Sequence, residues 1–240
     1  MIPKIIWQTY ETSYDKLPDT IKNFTKTWID LNPEWSYKYM NADERENFVL
    51  ENFGKEWHNI FINYPFNILR SDLWRYMVVY IYGGIYIDID TICKKPIDNW
   101  IDRNLGLLVS LETDEPLIAQ YIFAAEPKNK IIKHTLNLIK NKSLTNNKYI
   151  SKVDYVYETT GPLIWTHSIR EMLGFDKNMI MSDNDYMLYN KSKLAKKYGF
   201  YCFGGTDWKL FNGYALEHIA ASKENISGYI SWQKGELENE

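Results

Sequence analysis

Asp88 and Asp90 stand two positions apart at the end of an apolar run, in the segment Tyr82-Gly83-Gly84-Ile85-Tyr86-Ile87-Asp88-Ile89-Asp90. In an extended chain alternate side chains share a face, so this spacing predicts two carboxylates aimed together while Ile85, Ile87 and Ile89 enter a core. Like charges held that close need a cation, a proton or good solvation. A hard divalent ion takes carboxylate oxygens, keeps several waters and accepts further ligands from substrate phosphates. Two protein acids therefore suffice when a diphosphate completes the shell. An Asp-x-Asp pair alone is a common pattern whose bland reading is a solvated structural pair, so its weight comes from the elements around it.

Those elements must bring the acids to an edge. From Ile68 to Tyr82, Leu69, Leu73, Trp74, Met77 and Ile81 fall at helical offsets, and Gly83-Gly84 ends the run where positive φ is available. Helix, tight turn, strand and paired acid follow in that order. Upstream, Ile2 to Trp7 reads as a strand, Leu17 to Leu31 as a helix, Trp35 to Tyr39 as a short strand and Asp43 to Phe53 as a helix stopped by Gly54. Downstream, Leu105 to Leu111 reads as a buried strand, Ile131 to Ile139 as an amphipathic helix and Lys140 to Lys148 as a solvated loop. Alternation of this kind favours an α/β sheet covered on both faces, with ligand at the carboxyl ends of its strands.

Ile2-Pro3-Lys4-Ile5-Ile6, then Ser71-Asp72-Leu73-Trp74-Arg75-Tyr76, then the glycine-acid segment resemble the sugar-binding region of glycosyltransferases containing an Asp-x-Asp motif. That group takes in yeast-type initiating α-1,6-mannosyltransferases, inositol-phosphoceramide mannosyltransferases, bacterial capsular-polysaccharide transferases and, more distantly, glucosylating clostridial toxins. Thr160-Gly161-Pro162 and Tyr214-Ala215-Leu216-Glu217-His218 resemble its later landmarks. The resemblance implies a GT-A nucleotide-diphospho-sugar transferase fold, with a mostly parallel central sheet flanked by helices. It also implies a UDP- or GDP-hexose donor, a Mn2+ or Mg2+ cofactor, transfer with retention, and a glycan, polysaccharide or glycolipid acceptor.

Carried over residue by residue, Asp90 corresponds to the acid that binds the metal directly. Asp88 corresponds to the acid reaching ribose, donor sugar or metal-bound water, and His218 to a late histidine near metal and diphosphate. Asp72 and Arg75 correspond to a helix pair that holds the donor sugar and diphosphate. Asp88, Asp90 and Arg75 are thus the expected catalytic set. Read from the residues alone, Asp72 and Arg75 at i,i+3 also fit a local surface salt bridge.

Two regions depart from the family pattern. Relatives usually read Ile-His-Gln-x-Trp after the opening strand, where this chain has Ile6-Trp7-Gln8-Thr9-Tyr10. Tyr10 falls at the tryptophan position and is expected to stack on base or ribose, while Trp7 also reads as a packing residue. Relatives follow the late histidine with Ser-Trp, whereas here Ser222 precedes Lys223, and Ser231-Trp232 comes later. Either Lys223 or Trp232 then closes the donor pocket.

Composition excludes other classes. With 28 basic and 31 acidic side chains and a net charge of -3, the chain has no basic block for nucleic acid. His58 and His134 lack close partners for a zinc site, and Cys93 and Cys202 are too few and too far apart for a disulfide scaffold. His167 reads as packing, capping or acceptor-side. The 240 residues read as one glycosyltransferase domain, donor-binding mainly over 1–125 and acceptor-side mainly over 126–240, where Trp165, Trp208, Phe211 and Tyr214 lie. No signal-like segment or bilayer-length run is seen, which leads to the expectation of a cytoplasmic enzyme of a bacterial or virus-infected cell, with peripheral membrane contact left open by the abundant aromatics. The competing expectations are a metal-dependent nucleotide-sugar hydrolase and a catalytically weak nucleotide-sugar or glycan-binding module.

Overall fold

The computed structural model describes residues 1–112, 117–143, 151–179, 186–203 and 215–219. In chain order these form β1 (Ile5–Thr9), α1 (Asp19–Leu31), β2 (Ser36–Met40), α2 (Ala42–Ile62), α3 (Asn67–Tyr82), β3 (Gly84–Ile87), β4 (Thr91–Cys93), β5 (Leu107–Ser110) and β6 (Ile122–Ala125). Then follow α4 (Lys130–Ser143), α5 (Lys152–Thr159), α6 (Pro162–Leu173), α7 (Tyr186–Lys191), α8 (Lys193–Tyr198), β7 (Phe200–Phe203) and β8 (Leu216–His218).

Six strands form one sheet in the order β2-β1-β3-β6-β5-β7, while β4 and β8 pair separately. β1 runs parallel to β2 and β3, and β5 runs parallel to β7; β6 is antiparallel to both its neighbours. Five of the six strands therefore share a direction, as expected for a mostly parallel sheet. Side chains alternate into two cores. Trp7 and Tyr86 enter the one that also holds Leu73, Trp74 and Met77 of α3, while Ile6, Ile85 and Ile87 enter the other with Trp28 of α1. Covering on both faces explains why every residue of β3 is buried, rather than alternate ones.

α3 is buried almost all round from Leu69 to Val79, the pattern of a core helix rather than a surface one. Its end and the start of β3 require glycine. Gly83 has φ 67°, and a Cβ there would lie 2.7 Å from Pro3 Cδ and 2.8 Å from Pro127 Cδ. Gly84 has φ 103°, and its Cβ would meet the Ile5 carbonyl oxygen at 2.6 Å. We expect Gly84→Ala to destabilise the fold by about 3 kcal/mol, since it adds a positive-φ penalty to a backbone clash at the β1–β3 pairing. The shift in urea midpoint checks this.

Several expected boundaries move. The helix expected to stop at Gly54 does break there, with φ 78° and ψ -178°, but it resumes and runs to Ile62. Lys140 to Ser143 complete α4 instead of opening a loop. β3 ends at Ile87, so Asp88, Ile89 and Asp90 occupy the turn into β4, not the strand itself.

Candidate functional site

The acids converge although the strand stops short of them. Asp88, Asp90 and His218 each offer a ligand atom, and these atoms lie within 4.8 Å of one another, the metal-capable group found among the described residues. The turn is held from several sides. The Asp88 N–H donates to the Tyr121 carbonyl at 2.8 Å, while the Asp88 carbonyl accepts from Gln8 Nε2 at 3.1 Å and Thr91 Oγ1 at 2.7 Å. Pairing of β4 with β8 sets Thr91 opposite His218, and the Ile219 N–H donates to the Asp90 carbonyl at 2.9 Å. The His218 ring lies flat on Tyr121, centroids 4.2 Å apart, with Nε2 3.5 Å from Asp90 Oδ1.

Crowding of acids leaves its mark on ionisation. Burial, then the adjacent Asp90 charge, hold the Asp88 carboxyl above its ordinary range, against the pull of Arg75. Part of the Asp88 side chain still faces solvent, which moderates the burial effect. Burial alone would lower the His218 pKa, yet the hydrogen bond and charge of Asp90, with Asp88 and Glu112, carry it above its ordinary value. An imidazole raised against the effect of burial marks an electronegative surrounding. Two carboxylates and one imidazole, all aimed at one point, fit a divalent cation.

Behind this group lies a buried polar array on α3. Asp72 has no exposed surface; its Oδ1 meets Arg75 Nη2 at 2.9 Å and accepts from Gln120 Nε2 at 3.1 Å, and its Oδ2 accepts from Thr160 Oγ1 at 3.0 Å. Arg75 reaches on to Asp88 Oδ1 at 3.5 Å, donates to the Gln120 carbonyl at 3.1 Å and lies over the Tyr86 ring at 4.7 Å. The Tyr86 hydroxyl donates to Asp88 Oδ1. The Asp72–Arg75 pair is therefore an interior bridge to the acidic turn, not a surface salt bridge. Gln120, Thr160 and Tyr86 are partners that pattern reading did not single out for this array. Thr160 lay within a noted motif and Tyr86 beside the acids, but nothing in sequence placed either hydroxyl on a carboxylate.

Tyr10 follows β1 directly and packs with Leu17, Ile21 and Ile89, so it shares a cluster with the residue between the two acids. Since β1 and β3 run parallel, Tyr10 and Asp88 emerge at the same sheet edge. Trp7 is a packing residue: it is buried, stacks on Tyr82 and donates from Nε1 to the Gly83 carbonyl at 2.9 Å. Trp165 is fully buried with its Nε1 on the Ala119 carbonyl, so it is a packing residue. His58 and His134 pair with Glu46 and Glu171, and His167 sits half-buried within α6 rather than capping it. Ser222, Lys223, Trp232, Trp208, Phe211 and Tyr214 lie outside the described residues.

Residues 18–107 match the family described as glycosyltransferase sugar-binding region containing DXD motif. The chain carries a DXD-type glycosyltransferase region. It is 30% identical to the initiation-specific alpha-1,6-mannosyltransferase of Schizosaccharomyces pombe, over 76% of this chain and 52% of that protein. The Candida albicans protein of the same name is 26% identical, over 88% and 60%. Inositol phosphoceramide mannosyltransferase 2 of Schizosaccharomyces pombe is 28% identical, over 80% and 55%. The chain thus spans little more than half the length of these curated relatives. Among solved structures, PaToxG glycosyltransferase superposes with a TM-score of 0.51 at 18% identity, covering 82% of this chain and 77% of that one. The shared architecture is the GT-A fold.

These relatives correct one expectation. They are fungal, hence eukaryotic and not bacterial. The expectation of a cytoplasmic location also falls, because it rested on the lack of a long apolar run. No helix among the described residues is long and apolar enough to cross a membrane, and that fact specifies no compartment.

Proposed function

We propose that this chain transfers a hexose, with retention of configuration, from a UDP- or GDP-sugar to a glycan, polysaccharide or glycolipid acceptor, with a divalent cation held by Asp90, His218 and Asp88. The observation that carries the proposal is the convergence of these three side chains just past the carboxyl end of β3, with both acids inside the stretch that matches the DXD region. The imidazole in the donor set favours a transition ion such as Mn2+ over Mg2+, which prefers oxygen alone. A cation bound there supplies positive charge against the charge that grows on the departing nucleoside diphosphate.

The chain's own groups have separable roles in this reading. Tyr86 and Arg75 both engage Asp88 Oδ1, which fixes the carboxylate and leaves its second oxygen for ligand. Asp72, itself held by Thr160 and Gln120, keeps Arg75 aimed at the acidic turn and offers the donor sugar's hydroxyls an acceptor. Tyr10 supplies a ring for base or ribose, and the half from 126 onward supplies the acceptor side. Mannose is the first sugar to test, because the relatives' names carry it.

The test incubates the chain with Mn2+ and a panel of UDP- and GDP-hexoses, with and without oligosaccharide acceptors, and measures nucleoside diphosphate release and the anomeric configuration of the product. Release from one donor that rises with acceptor and yields a retained linkage is expected. Acceptor-independent release would replace the transferase by a hydrolase. Donor binding without release on any acceptor would replace it by a binding module.

A further inference from the structure

We infer that Arg45 is a positioning residue for the donor site: it fixes the turn that carries Tyr10 and thereby sets affinity for the nucleotide. The inference rests on the proposed role of Tyr10 and deepens it. Arg45 is 1% exposed and rises from the first turn of α2, whose start is fixed by a capping box between Asn41 and Glu44. Its Nη1 donates to Thr9 Oγ1 at 2.7 Å and to the Tyr10 carbonyl at 3.3 Å, and its Nη2 donates to the Glu11 carboxylate. One guanidinium thus grips three consecutive residues at the carboxyl end of β1. The same turn takes the Ala42 N–H on the Glu11 carbonyl at 3.4 Å and the Tyr39 hydroxyl on the Thr12 carbonyl.

Stability does not explain the use of an arginine here. Burying the guanidinium carries a desolvation cost that a partly exposed Glu11 only partly returns, and an apolar side chain of similar volume would fill the space without that penalty. Arg45 Nε, moreover, is buried with no hydrogen-bond partner among the described residues. What a planar guanidinium adds is direction: a rigid fork holds several acceptors in one arrangement. With the Tyr10 carbonyl held, the turn cannot swing away from Leu17, Ile21 and Ile89 without breaking that hydrogen bond. Ile89 separates the two acids, so the grip keeps the Tyr10 ring in register with Asp88 and Asp90.

A double-mutant cycle tests this on the full chain. Binding of UDP and of GDP, each with Mn2+, is measured by calorimetry for the unsubstituted chain, Arg45→Lys, Tyr10→Ala and the double variant, with a melting curve for each. Arg45→Lys keeps the charge but loses the fork. We expect it to weaken binding about tenfold, and less than about twofold once Tyr10 is already alanine. Donor KM should rise while kcat at saturating donor holds. Should Arg45→Lys melt below the assay temperature, Thr9→Val supplies the cycle, since it deletes one acceptor of the fork and keeps Arg45. Equal weakening in both Tyr10 backgrounds would make Arg45 a general stabiliser and overturn the inference, as would no weakening. Unchanged affinity in Tyr10→Ala would remove Tyr10 from the donor site, and absence of nucleotide binding by the unsubstituted chain would overturn the donor site itself.

Discussion

Asp90→Asn is expected to lower Mn2+-dependent donor turnover by at least about a thousandfold while the fold stays intact. Asparagine keeps the shape and one acceptor oxygen but removes the charge, which is the property a cation needs from this position. The fold loses little, because the Ile219 N–H bonds the Asp90 backbone carbonyl, which the change keeps, and the side chain's contact with His218 is a long one at 3.5 Å. A stability change within about 1 kcal/mol is therefore expected, read as the urea midpoint. A second readout separates this variant from ordinary damage. Asp90 is the chief group that carries the His218 pKa above its ordinary value, and burial opposes it. With the charge removed, burial dominates and the imidazole pKa falls, which a histidine titration by NMR in the metal-free protein detects. Turnover at the original level in Asp90→Asn would remove Asp90 from the metal site, whatever the histidine does.

Much of this arrangement was readable in the chain, and what was not has a common cause. The glycine break, the core helix before it and the order of β1, α1 and β2 follow from period and punctuation, so their positions hold to within a few residues. Alternation predicted the convergence of Asp88 and Asp90 for the wrong reason. They meet because a turn anchored by Gln8, Tyr121 and Thr91 folds them together, not because a strand points them. β6 went unread since Ile122 to Ala125 is four buried residues, too short for any period to show. Gln120 and Thr160 are 40 positions apart and both meet Asp72, which is 48 and 88 positions away from them. No local pattern encodes that meeting. A short run of sequence reports which side chains can do chemistry, whereas their partners come from sheet order and helix packing.

Asp72→Ala is expected to destabilise the protein by about 3 kcal/mol or more, the cost of leaving a buried arginine without its main partner. Arg75 is 4% exposed at its side chain, and after this change its nearest carboxylate is Asp88, at 3.5 Å. Thr160 Oγ1 and Gln120 Nε2 would lose an acceptor in the same step. The array's pH dependence has a definite sign. Burial pushes the Asp72 carboxyl from 3.8 up to about 6, although Arg75, Thr160 and Gln120 all pull it down. Between those two values the native state keeps a proton that the unfolded chain has released, so this group's contribution to stability falls as pH rises through that window. In Asp72→Ala that slope should vanish while the overall loss remains. Urea midpoints of both proteins at pH 4, 5, 6 and 7 measure the two effects together. Equal midpoints at neutral pH would mean that Arg75 is solvated or re-paired when Asp72 is gone. The bridge from α3 to the acidic turn would then be dispensable to the fold, leaving the donor site as its sole purpose.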